Sequence, residues 1–215
     1  MRRYRLVPLL IAAFVGAAAL IFHQSRGKWA PAFGGSNLSV RLADGARFQQ
    51  NDPRWADERL GKRGDGDTLG AAGCTVTSVA MAMTNLGHSI EPGQLNAALA
   101  AEGSFTPQGW LVWDGVSRVT KGSMRAEVHE APSLDKVDAC LALGRYPVVK
   151  FLIAGVIPHW VVLVGKHAGT YFMRDPLIDA PDPVPLTRRT PVILSVRCIG
   201  RAPQTVTRPQ TDAKL

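Results

Sequence analysis

The spacing of apolar residues changes character once along this chain, and that change restricts the fold. From Cys74 onward apolar side chains recur three and four residues apart: Val76, Val79, Ala80, Met83 and Leu86 make one such stripe, closed by Gly87. A second helix is expected after Pro92, a residue suited to a first helical turn, ending near Gly103. A third is expected over Trp110 to Val119, and a fourth from a Ser133 cap to Leu143 with Gly144 as its stop. Beyond that glycine the apolar runs shorten and fill with Val, Ile and aromatics. Val148 to Ile153, Trp160 to Val164, Tyr171 to Arg174 and Ile193 to Cys198 read as strands divided by Gly and Pro signals. Their connections are too short for crossover helices, so antiparallel pairing is expected. Helices first and strands second predict an α+β domain rather than alternating β/α units.

The compact domain is expected over residues 46–200, with Gly61 to Gly73 as a loop. Ahead of it, Met1 to Arg5 is basic, and Leu6 to Phe22 carries no charged or strongly polar side chain. As a helix that run spans roughly 25 Å, close to the ~30 Å hydrocarbon core of a bilayer. Residues 1–22 therefore read as a transmembrane signal anchor or a cleaved signal peptide. Ala17-Ala18-Ala19 offers a cleavage site, whereas the apolar continuation through Leu20, Ile21 and Phe22 favours the anchor. Either way the leading arginines keep the N-terminus cytoplasmic. The expected location is thus a bacterial envelope, with the domain held at the cytoplasmic membrane on its outer side, or secreted. Residues 23–45 read as a linker lifting the domain off the membrane, and 201–215 as a loose tail.

The formal net charge of +8 comes from 25 basic and 17 acidic side chains spread along the chain. No basic run interleaved with aromatics appears, so nucleic-acid binding is not expected. Three cysteines are too few for a disulfide scaffold, and their spacing offers no zinc pattern. Should one pair form, Cys140 with Cys198 is the better choice, because Cys74 has a different context.

That context is a predicted helix start behind a glycine-rich stretch, Gly73-Cys74-Thr75-Val76. Unpaired amides and the helix dipole favour an anion there, which suits a thiolate. A nucleophilic cysteine needs a partner to take its proton and later return one. His159, at the mouth of the apolar Trp160 to Val164 strand, can serve, although a histidine capping a strand is common. Asp175 closes the next strand. If the two strands form a hairpin around Gly165 to Gly169, Asp175 and His159 reach the same end and the carboxylate can orient the ring. Asp175-Pro176 equally begins a turn. A side-chain amide could complete an oxyanion site, and Gln49 or Gln50 lies upstream; the residues alone do not choose between them. Trp110 and Trp113 could line a cleft, but core packing is the commoner use of such aromatics.

Taken together, Phe48-Gln49-Gln50-Asn51-Asp52-Pro53-Arg54-Trp55, Leu60-Gly61, Gly73-Cys74, Thr77-Ser78, the His159 strand ending in Gly165, and Asp175-Pro176 form a pattern. It resembles the stand-alone relatives of the bacteriocin-processing, double-glycine-leader cysteine peptidases, from about Phe48 to about Pro176. The resemblance implies a papain-like fold with Cys74 as nucleophile, His159 as base and Asp175 as its orienter. It also implies Gln50 in the oxyanion hole, with Asp52 as the Asp of the family's Gln-x-Asp motif. It further implies a peptide or protein substrate, and no cofactor or metal. No transporter segment is expected within these 215 residues, and the substrate stays open. A cell-wall amidase or endopeptidase, and a non-catalytic peptide-binding module, are the competing readings.

Overall fold

The computed structural model describes residues 27–61, 67–129 and 131–203. The apolar N-terminal run and its expected anchor lie outside these residues, as does the chain from 204 onward. Among the described residues no helix is long and apolar enough to cross a membrane.

In chain order the elements are β1 (Ala30–Pro31), β2 (Val40–Arg41), α1 (Leu69–Ala72), α2 (Cys74–Asn85), α3 (Pro92–Ala101), α4 (Gly115–Val119) and β3 (Met124–His129). Then follow α5 (Leu134–Ala142), β4 (Tyr146–Ile153), β5 (Ile157–His167), β6 (Thr170–Arg174), β7 (Val184–Pro185), a 3-10 turn (Leu186–Arg188), β8 (Val192–Ile193) and β9 (Ser195–Arg201). Helices precede most of the sheet, and every strand pair is antiparallel, as the patterning required. The main sheet runs β3-β9-β4-β5-β6-β7, with β2 added against β5.

Both faces of this sheet are covered, which explains why the central strands are apolar throughout rather than alternating. Val148, Val162, Val164 and Ile199 pack beneath α2 and α3, with Val79, Met83, Leu95 and Leu99. Val149, Val161, Leu163 and Val196 face the opposite way, against Val137 and Leu141 of α5. A disulfide between Cys140 and Cys198 joins α5 to β9.

Several boundaries differ from the sequence reading. The stretch before Cys74 contains a helical turn, α1, whose Thr68 side chain accepts from the Ala71 amide as a cap. The third helix begins only at Gly115. Trp110 lies outside it and is 72% exposed, while Trp113 packs against Trp160 with ring centroids 5.1 Å apart. The hairpin turn after β5 is Ala168-Gly169, both at positive φ (46° and 77°), so Gly165 sits within the strand. Such two-residue turns match the twist of their flanking strands. Arg201 still belongs to β9, and the Ala202 amide donates to the Ser123 carbonyl, so the tail begins later than expected.

The largest difference is at residues 27–45, expected as a linker and found laid along the domain. β1 pairs with β8, the Gly34 amide donates to Gly169, and β2 pairs with the inner strand β5. The cause is a buried ion cluster. Lys166 Nζ, with no side-chain exposure, meets both Asp138 oxygens at 2.8 Å, and Tyr171 Oη donates to Asp138 at 2.7 Å. Ser36 closes the cluster, its amide and hydroxyl donating to Asp138 and its carbonyl accepting from Lys166. Gly35 must be glycine here: it has φ +80°, and a Cβ would lie 2.6 Å from Asp138 Oδ2. Buried charges are tolerated only when paired and hydrogen-bonded, and this segment supplies the missing partners.

Candidate active site

Cys74 is the first residue of α2 and follows α1 across the single residue Gly73. That joint leaves no room for a side chain, since a Cβ on Gly73 would fall 2.4 Å from the Leu69 carbonyl oxygen. One helical turn after Cys74, Ser78 donates its hydroxyl to the Trp160 carbonyl at 3.0 Å. This bond fastens the start of α2 to the residue after His159. Ser78 belonged to the sequence pattern, but its role depends on a partner 82 positions away.

His159 stands near the beginning of β5, opposite Phe151 of β4, whose ring meets the imidazole edge-on at 5.4 Å. Its Nε2 donates to Asp175 Oδ1 at 2.7 Å, with both side chains almost wholly buried. The Cys74 thiol lies near enough to the ring to favour its charged form. Burial alone would depress the imidazolium, but hydrogen bonds to Asp175 and Cys74 outweigh it. The His159 pKa is pushed up to about 9.

Asp175 immediately follows β6, so the β5–β6 hairpin delivers it beside His159. Burial acts to raise its pKa. The His159 hydrogen bond and charge, the Leu177 amide on Oδ1 at 2.9 Å and the charge of Arg189 together hold it below the usual carboxylate range. Arg189 Nε lies 3.0 Å from Asp175 Oδ2. Its N–H is not aimed at that oxygen, so the contact is an ion pair rather than a hydrogen bond. In the sequence Arg189 stands beside Arg188, among 25 basic side chains, with no motif around it.

Gln50 is 3% exposed and reaches the same end of the domain. Its backbone amide donates to the Pro176 carbonyl at 3.0 Å, and its side-chain Nε2 donates to the Gly70 carbonyl of α1 at 2.8 Å. One Nε2 proton is thereby used and a second remains, because a primary amide carries two. Gln49 instead lends its carbonyl to the Trp55 indole. Asp52 does not join the cluster: it pairs with Arg54, which also meets Glu91, and its carbonyl accepts the Trp55 amide. It shapes the turn that carries Gln50.

Cys74, His159, Asp175 and Gln50, drawn from four separate segments, are therefore assembled at one place. A sulfur beside an imidazole, with a buried carboxylate behind it, can pass a proton and hold the resulting charge. Apolar side chains border the cluster: Ile157 precedes His159 by two positions and is 58% exposed, and Leu177 follows Asp175 by two and is 44% exposed.

No family model and no curated protein matches this chain. Among solved structures, it is similar to that of a candidate C39-like peptidase from Bacillus anthracis, at 15% identity and a TM-score of 0.49. The match covers 77% of this chain and 100% of that one.

Proposed function

We propose that this protein is a cysteine peptidase or amidase of papain-like architecture that works through an acyl-enzyme on Cys74. The observation that carries the reading is the buried His159–Asp175 pair, 2.7 Å apart, with Cys74 at the start of the helix that Ser78 ties to Trp160. A protonated His159 sets positive charge against sulfur, the environment in which a thiolate attacks. Sγ adds to a peptide carbonyl carbon, and the oxyanion is received by the remaining Gln50 Nε2 proton together with backbone amide. The His159 Nδ1 proton passes to the leaving amine, giving a thioester. Neutral His159 then takes a proton from water, hydroxide adds to the thioester, and the carboxylic product leaves with Cys74 restored. Asp175 keeps the ring turned and stabilises its charged form throughout.

An apolar rim of Ile157 and Leu177 suits a peptide better than a polyanionic substrate. The Cys140–Cys198 disulfide favours an oxidising compartment, in keeping with a domain outside the cytoplasmic membrane. The direct test is iodoacetamide alkylation of the full chain. Cys74 should label many-fold faster than the same thiol in urea, and His159→Ala should abolish the difference. Equal rates in folded and unfolded protein would end the reading.

A further inference from the structure

Asp175 has two carboxylate oxygens with different fates. Oδ1 accepts from His159 Nε2 and from the Leu177 amide, so its capacity is committed. Oδ2 is buried without a hydrogen-bond partner, and the cation that faces it is Arg189. Arg189 follows the 3-10 turn that Leu186 anchors, fully buried in the second core, and its own amide donates back to the Leu186 carbonyl at 2.9 Å. The side chain is 26% exposed. It can therefore stay hydrated at one edge while its charge stands against a carboxylate with no exposure. The other cations near Asp175 are engaged elsewhere. Arg174 meets Asp44 and the Ala180 and Pro181 carbonyls, and Arg47 donates to Pro181. Asp179 lines the same small cavity as Asp175, Arg47 and Arg174, and adds negative charge there.

The catalytic cycle makes a lone partner insufficient. Once His159 has given its proton to the leaving amine, Asp175 is a buried carboxylate beside a neutral ring. An uncompensated buried charge is costly and draws a proton instead. We infer that Arg189 is a positioning residue of this site, the fixed counter-charge that keeps Asp175 ionised and turned to His159 while the ring is neutral. The inference rests on the reading of Cys74, His159 and Asp175 as one catalytic unit.

The test uses the full chain with Arg189→Met, Arg189→Gln and Arg189→Lys. Two signals are followed against pH: the downfield NMR resonance of the His159 Nε2 proton, and the iodoacetamide rate at Cys74. A carboxylate held low by a cation protonates at higher pH when that cation is removed. Arg189→Met should therefore lose the resonance at higher pH on acidification. At pH 5 its alkylation should be about two- to fivefold slower than wild type, the scale of a partly exposed ion pair. Arg189→Lys should restore both. Arg189→Gln gives the same comparison if the Met variant does not fold. Superimposable profiles in a folded charge-removed variant, or failure of Lys to rescue a loss, would overturn the proposal. If wild-type Cys74 is no faster than an unfolded thiol, the catalytic reading fails separately. The His159 resonance still reports whether Arg189 holds Asp175.

Discussion

Asp175→Asn removes one charge and leaves the volume almost unchanged, so it isolates what the carboxylate does to His159. In the wild type, burial opposes the imidazolium while Asp175 and Cys74 support it, and the pKa reaches about 9. At pH 7.5 the ring is then roughly 97% protonated. Asparagine withdraws the Asp175 hydrogen-bond and charge contributions but keeps the burial, so the pKa falls toward the ordinary 6.5. At 6.5 roughly 9% of the rings are protonated at pH 7.5, a loss of imidazolium of about tenfold. The assay is the NMR titration of the His159 ring from pH 5 to 10. The wild-type ring should stay charged until pH rises through about 9, and the Asp175→Asn ring should lose its charge up to about 2.5 units earlier. Stability should follow the same sign. A histidine pKa raised by folding stabilises fully below the unfolded value and loses that contribution as pH rises through the folded one. The urea midpoint of the wild type should therefore fall between pH 6.5 and 9, and that of the variant should be flatter. A folded Asp175→Asn protein whose ring still titrates near 9 would refute the coupling of this carboxylate to the ring.

Two further outcomes follow from the buried links. Asp138→Ala should destabilise the domain by about 3–5 kcal/mol in urea unfolding, because it strands the Lys166 ammonium. Adding Lys166→Met should recover part of that loss, the remainder being the Ser36 and Tyr171 donors left without an acceptor. Cys140 and Cys198 are separated by 58 positions. The chain-entropy model assigns a loop of that length about 4 kcal/mol, so the double alanine variant should unfold at clearly lower urea, with Cys74 alkylation in water largely kept.

Much of the fold could be read from residues alone because its signals are short-range. The Val76 to Leu86 stripe, the Ser133 cap and the Val-rich runs at β4, β5 and β6 each depend on neighbours a few positions away. Cys74 at a helix start, and His159 and Asp175 at one end of a hairpin, are local placements of the same kind. Short helices and pieces of chain without periodicity were another matter. α1 spans four residues and is stabilised by its Thr68 cap and its continuity with α2, which no apolar stripe announces. The segment at 27–45 is polar and glycine-rich like any linker. It is ordered because Asp138, 102 positions from Ser36, needs donors in the interior.

The site divides along the same line. Chain order and residue type were enough to nominate Cys74, His159 and Asp175, and a resemblance pointed to Gln50 rather than Gln49. Only the packed structure could make Gln49 serve Trp55, tie Ser78 to Trp160, and bring Arg189 to the unpartnered oxygen of Asp175. Those choices join residues far apart in the chain, and burial decides them. A polar group removed from water must find its partner wherever the fold delivers one.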